Sequence, residues 1–226
     1  MKNQDDIFSK KEADAWYARN ADALTPEARE MRSDLVEKLI LKHRLHPKRV
    51  LDVGAANGWR LEAMRRARPR AQYVGVEPSA SAVAAGKKKF PRIELKRGVA
   101  AKLPVKDASF DLALAVFTFH WVSRDTLLQS VAEIDRAITD GGYLIICDFL
   151  PREPRKNPYR YRPGVFTYKA DYGALFEASG NYIRVERVYT YTADAKKHAT
   201  AKTRDDFRAA ATLYKKVIGG GYRPGA

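Results

Sequence analysis

The chain has 226 residues, 45% hydrophobic and 31% charged: enough apolar material for one ordinary soluble domain, but no continuous apolar run of the length a membrane span needs. The single cysteine, Cys147, excludes an intramolecular disulfide, and a polar Met1–Lys10 without a signal-peptide core leads us to expect a cytoplasmic protein. With 42 basic against 27 acidic residues the net charge is +15, which favours an anionic partner: a nucleotide-bearing small molecule, an RNA or an acidic surface.

Glu12 to Ala23 reads as a helix carrying Trp16 and Tyr17. Thr25-Pro26 reads as the next helix start, a capping hydroxyl followed by proline in the first turn. Met31, Leu35, Val36, Leu39 and Ile40 then recur at helical spacing. His43 and His46 are expected at the surface, since no third ligand cluster accompanies them. Arg49 to Val53 is a short apolar run of strand type. It breaks into Gly54-Ala55-Ala56-Asn57-Gly58 before a helix with Leu61 and Met64 on its buried stripe. A strand, a turn of tiny residues and a helix N-terminus gather backbone N–H groups around a polar ligand. Gly54 and Gly58, lacking a Cβ, let that backbone approach closely. Tyr73 to Val76 is the second strand and ends in Glu77, nineteen residues after Gly58. A carboxylate about 20 residues past such a turn suits the two hydroxyls of a ribose.

Pro78-Ser79 opens an alanine-rich helix to about Lys89, and Ile93 to Lys96 is a short third strand. Phe110 to Val116, almost continuously apolar, is the fourth, of the kind found at the centre of a parallel sheet. Ser123 is expected to cap the following helix, with Leu127, Leu128, Val131, Ile134 and Ile138 as its buried stripe and Asp140-Gly141-Gly142 as its end. Tyr143 to Cys147 is the fifth strand, with Asp148 at its tip. Strands alternating with helices argue for an open parallel α/β sheet. Asp52, Glu77, Val99, Phe117 and Asp148 all fall at or just past predicted strand ends, the rim where such sheets bind ligands.

Residues 149–169 break the pattern. From Pro151 to Lys169 there are six basic residues and one acidic one, interleaved with Tyr159, Tyr161, Phe166 and Tyr168. Proline density excludes helix and inner strand. A loop of this length on the ligand rim reads as a substrate cover, its cations holding phosphate or carboxylate and its rings stacking. Asp171 to Ser179 is a short helix closed by Gly180, and Tyr182 to Thr192 a strand. Phe207 to Lys216 alternates like a strand but carries the alanines of a helix. Gly219 to Gly221 and the tail are expected to be mobile. The chain divides into N-terminal helices at 1–47, a core at 48–216 with its loop at 149–169, and a flexible tail at 217–226.

The run from Asp52 through Gly54 and Gly58, together with Glu77, resembles the class I S-adenosylmethionine-dependent methyltransferases of small-molecule type. The likeness extends over about residues 48–150 and includes Leu103-Pro104 followed by Ser109-Phe110-Asp111-Leu112. In that family the first strand ends in Asp/Glu-x-Gly-x-Gly-x-Gly; Ala56 stands at the middle glycine here. Val99 stands where the family usually has an aspartate for the adenine amino group, so backbone near Ala100 would read the base. The resemblance implies a Rossmann-like, mostly parallel seven-stranded sheet with helices on both faces and an antiparallel last strand, Phe207 to Lys216. It implies S-adenosyl-L-methionine as cofactor, held by Asp52, Gly54, Ala55, Asn57, Gly58, Glu77, Pro78, Val99, Ala100, Ala115 and Phe117. An N-terminal helical lid over the cofactor is also implied, with Trp16, Tyr17 and Arg19 on its inner side.

Tyr17, Arg19, Arg160, Tyr168 and Lys169 are the expected acceptor contacts, and no metal is expected. His120, just past the fourth strand, and Asp148 are the candidate bases; in the bland alternative His120 is structural and Asp148 orients the 149–169 loop. The expected reaction is methylation of an oxygen or nitrogen on a small anionic acceptor, sugar- or nucleotide-linked. Two other readings stand beside it. One is an RNA methyltransferase, for which no Asn/Asp-Pro-Pro-aromatic motif or cysteine pair is present. The other is a non-catalytic binding module of the same fold. A dinucleotide fingerprint, G-x-G-x-x-G, fits less well, because Ala56 and Trp59 occupy two of its three glycine positions.

Overall fold

The computed structural model describes residues 4–27, 34–191 and 205–222. A seven-stranded sheet has the order β3-β2-β1-β4-β5-β9-β8, built from β1 (Arg49–Val53), β2 (Gln72–Glu77), β3 (Glu94–Arg97), β4 (Phe110–Val116), β5 (Ile138–Phe149), β8 (Tyr182–Tyr191) and β9 (Arg208–Lys216). The first five pair in parallel; β9 runs antiparallel to both β5 and β8. The alternation of Phe207 to Lys216 therefore prevails over its alanines. Ala209, Ala211 and Leu213 are fully buried between two neighbouring strands, where small side chains pack without gaps.

Helices cover both faces. α3 (Leu35–Lys42), α4 (Trp59–Ala67) and α5 (Ala80–Lys89) bury Leu39, Ile40, Leu61, Met64 and Val83 on one side. α6 (Leu127–Ala137) and α7 (Gly173–Ala178) bury Ile134 and Phe176 on the other. The strand order reverses between β1 and β4, so the crevice beyond their carboxyl ends is the topological switch point. A separate two-stranded hairpin, β6 (Arg155–Pro158) and β7 (Phe166–Lys169), stands over that crevice. So does the N-terminal segment: α1 (Gln4–Ile7), a π-helical turn (Phe8–Glu12) and α2 (Ala13–Asn20).

Several local expectations are corrected. α3 starts at Leu35, not at Thr25-Pro26, because Asp34 Oδ1 accepts the Val36 N–H at 2.9 Å and supplies the cap. Met31 lies outside the described residues, as does Thr192. Ser123 does not cap α6: its backbone N–H donates to Asp5, and a 3₁₀ turn, Arg124–Thr126, precedes the helix. Of the predicted α6 stripe, Leu127, Val131 and Ile134 pack on the core, joined by Ser130 and Ala137, while Leu128 is 71% exposed. Ile138 already belongs to β5, and Asp140-Gly141-Gly142 sits within that strand where its register with β4 shifts, Gly141 taking φ +76°. The 149–169 segment is a hairpin, not an irregular loop. Its prolines spare it from the main sheet, and Pro158 closes β6 on a two-stranded edge. Residues 217–222 fold back, with Val217 and Gly221 donating to the Asn181 and Gly180 carbonyls at 2.9 and 2.8 Å; 223–226 lie outside the described residues.

Candidate active site

The turn after β1 is fixed by its own main chain. Gly54 and Ala55 N–H both donate to the Val76 carbonyl at 2.8 and 3.2 Å, locking the turn to the tip of β2. Gly54 takes φ +82°, and a Cβ there would overlap the Thr118 hydroxyl. That hydroxyl in turn donates to the Val53 carbonyl at 2.7 Å, tying the tips of β1 and β4. Ala56 adopts φ +50°, the left-handed conformation that the family's middle glycine would take without a Cβ penalty, a cost of about 1 kcal/mol. Its N–H donates to Glu77 Oε2 at 2.8 Å, and Ser79 N–H donates to Glu77 Oε1 at 2.9 Å. Glu77 is thus aimed by two backbone bonds and, among the described residues, engages no cation. Burial pushes its carboxyl up to about 7, against the pull of those bonds. Burial likewise pushes Asp52 up to about 7, with Arg60 opposing. Asp52 Oδ1 is buried and accepts no hydrogen bond from the described residues.

A cavity of about 920 Å³ opens from this turn. Asp52, Gly54, Ala55, Ala56, Glu77, Pro78, Val99, Ala100 and Phe117 form one half of its wall. The other half is built by His120, Trp121, Phe149, Tyr159, Arg160, Tyr161, Lys169 and Phe207. His120 Nδ1 lies 2.8 Å from Asp148 Oδ1, and its backbone N–H donates to Asp148 Oδ2 at 3.2 Å. Asp148 also accepts the Phe149 N–H at 2.8 Å, so this buried carboxylate is oriented by two main-chain donors and holds the imidazole ring edge-on. The two sequence candidates for a base are one dyad.

Not every predicted contact reaches the cavity. Asn57 faces away: its amide donates to the Leu24 carbonyl at 3.0 Å and its Oδ1 accepts the Trp59 N–H, anchoring the N-terminal segment. Gly58 packs against Ile93 and Leu95, Cβ-free for helix–strand contact and not for a ligand. Ala115 is fully buried between Val53 and Ile146 of the neighbouring strands. Tyr17 packs on the core, and Tyr168 lies beneath the Arg124 guanidinium at 4.5 Å. Arg19 pairs with Glu12 at 2.6 Å, donates to the Tyr159 hydroxyl at 2.7 Å and stacks over Tyr161, so it braces the hairpin from outside. Arg160 and Lys169 do line the cavity, as does Trp16. Thr118, Trp121, Phe149 and Arg60 escaped the sequence reading. Arg60 had a readable signal, a lone arginine on the inner stripe of α4 beside Leu61 and Met64, and it is buried against Asp34.

The strand order, the turn at the switch point and the acid at the β2 tip are those of the class I S-adenosylmethionine-dependent methyltransferase fold. Residues 51–146 match the family model of the methyltransferase domain. Two demethylmenaquinone methyltransferases are similar: that of Chlorobaculum parvum, 32% identical over 47% of this chain and 43% of its own length, and that of Deinococcus radiodurans, 37% identical over 46% and 44%. The match thus spans less than half the length of these curated relatives. Among solved structures, one from a complex between the Haloferax volcanii Trm112 methyltransferase activator and a methyltransferase superposes with a TM-score of 0.69, covering 96% of this chain and 100% of its own at 17% identity. That likeness concerns the fold. Among the described residues no helix is long and apolar enough to cross a membrane, and no group of three His, Cys, Asp or Glu is placed to hold a metal.

Proposed function

We propose that this chain transfers a methyl group from S-adenosylmethionine to an oxygen or nitrogen of a small anionic acceptor, with His120 as general base. The observation that carries the reading is the His120–Asp148 dyad, set in the wall of the same cavity as Glu77 and the Gly54 turn. The cofactor fits on the chemistry of the residues present. Asp52 Oδ1 is a buried acceptor without a donor among the described residues, Gly54 leaves room only for hydrogen, and Glu77 offers a carboxylate for a ribose. Glu77 and Pro78 would hold the sugar, Val99 and Ala100 the base, and Asp52 with the Gly54–Ala56 main chain the amino-acid end.

When bound, the cofactor would supply a methyl group already made electrophilic by its sulfonium. The protein must position the acceptor and take its proton. Alignment contributes as much as roughly 7–11 kcal/mol in the best-oriented cases. Asp148 facing Nδ1 holds the proton on that nitrogen, which leaves Nε2 the lone pair that a base needs. Lys169 and Arg160 supply positive charge to an acidic acceptor. Phe117, held at φ +52° between the two halves, packs against Phe149 at 5.2 Å. The N-terminal segment acts as the lid. Gln4 spans Trp121 and Phe166 through three hydrogen bonds of 2.8–3.0 Å, and Asp14 Oδ1 receives Ser79 and Ser81. The basic exterior would serve to steer an anion in.

Calorimetric titration with S-adenosylhomocysteine tests the cofactor site, and methyl transfer to a metabolite panel by wild type and His120→Ala tests the base. Absence of homocysteine-nucleoside binding would reject the reading.

A further inference from the structure

The acceptor half of the cavity is lined by a continuous track of rings. His120 lies 5.0 Å from both Phe149 and Trp121, Trp121 meets Tyr159 edge-on at 4.7 Å, and Tyr159 meets Tyr161 at 5.4 Å. Tyr161, 49% exposed, marks the mouth. Cations sit at both ends. Lys169 Nζ lies 4.1 Å from the Phe149 ring centroid beside His120, and the Arg160 guanidinium lies 4.5 Å from Tyr161 at the mouth. Among the described residues, the hairpin, β5 and β9 present no Asp, Asn, Glu or Gln side chain to this half of the wall. Asp5, which also reaches the cavity, is taken up by the Ser123 N–H and the Thr126 hydroxyl.

Rings can pack on a sugar as well as on a planar aromatic, but this wall offers few of the carboxylates and carboxamides that fix the many hydroxyls of a sugar, so it suits a planar aromatic ring better. We infer that the acceptor is an elongated hydroxylated aromatic acid. Its ring system lies along Trp121 and Tyr159, its hydroxyl reaches His120, and its acidic group is held by Arg160. This deepens the methyltransferase reading and rests on it, and it replaces the sugar-linked acceptor expected from the sequence.

The test uses protein saturated with S-adenosylhomocysteine and measures binding of three probes: 6-hydroxy-2-naphthoate, 2-naphthol and UDP-glucuronate. The naphthoate binds at least about tenfold more tightly than the naphthol, as a charge-assisted contact implies. UDP-glucuronate does not displace it. Arg160→Gln, at an exposed position that the fold does not need, removes most of the naphthoate's advantage while the homocysteine-nucleoside affinity stays as in wild type. Displacement by UDP-glucuronate, equal binding of naphthol and naphthoate, or an unchanged preference in Arg160→Gln overturns the inference. Failure of S-adenosylhomocysteine itself to bind sinks the methyltransferase reading instead; its binding with no naphthoate binding sinks only the acceptor class.

Discussion

The two halves of the cavity are built by different means. The cofactor half rests largely on main chain: Gly54, Ala55 and Ala56 reach Val76 and Glu77 through three N–H bonds, and β1, this turn and β2 lie close in sequence. The acceptor half is side chain and long-range. Gln4 joins Trp121 to Phe166, Arg19 joins α2 to Tyr159, and His120 joins β4 to β5 through Asp148. A pocket wall made of main chain ties ligand affinity to the stability of the sheet. A wall made of side chains can change what it recognises without disturbing the strands beneath.

The largest expected effect tests that separation. His120→Ala lowers turnover by about 10²–10⁴-fold, as loss of a general base does, while calorimetric affinity for S-adenosylhomocysteine stays within a few-fold. Asp148→Asn, which releases the ring, has the same sign and a smaller size, and both flatten the rising limb of the pH–rate profile. A parallel loss of cofactor affinity in both variants would merge the two halves into one unit. Glu77→Ala comes next: loss of charged hydrogen bonds worth about 1.5–3 kcal/mol weakens the same affinity by roughly ten- to a hundredfold.

The pH dependence sharpens the contrast further. Glu77 and Asp52 are raised by burial from near 4 to about 7, so the folded chain holds protons that the unfolded chain has released. Their contribution is therefore full below about pH 4 and falls as the pH rises towards 7, by up to about 1.4 kcal/mol per pH unit for each carboxyl. The thermal midpoint of the ligand-free protein should drop between pH 5 and pH 7.5, and Asp52→Asn should make that drop shallower. A midpoint that rises over the same interval would contradict the burial. Smallest is Ala56→Gly: relief of the left-handed strain is offset by the extra freedom of glycine in the unfolded chain, so denaturant titration should show a change under about 0.5 kcal/mol.

The same division governs what could be read in advance. β1, its turn, β2 and Glu77 were legible because apolar runs, tiny residues and one acid lie in a single stretch of about thirty residues. The antiparallel place of β9 came from family likeness; its own alanines left helix and strand open until burial on both faces decided. Asn57 and Gly58 belonged to the right motif but spend their atoms on Leu24 and Ile93, a choice that no local pattern reveals. The α6 stripe was legible in phase, with Leu127, Val131 and Ile134 on the core, but its inward Ser130 was not, being polar and satisfied on the Thr126 carbonyl at 2.9 Å. Nothing local announces that Gln4 will meet Phe166, 162 residues away, or that Phe149 will stand against His120.

Strand β9 has a consequence for how the molecule comes into being. It is the last of the described strands yet lies between β5 and β8. Until the ribosome has delivered residues 208–216, the nascent β8 has no neighbour and the outer edge of β5 is bare. Unpaired edges of this kind invite aggregation. A truncation that stops short of position 208 should therefore accumulate in chaperone complexes or inclusion bodies, even though every residue of the cofactor crevice has by then been synthesised.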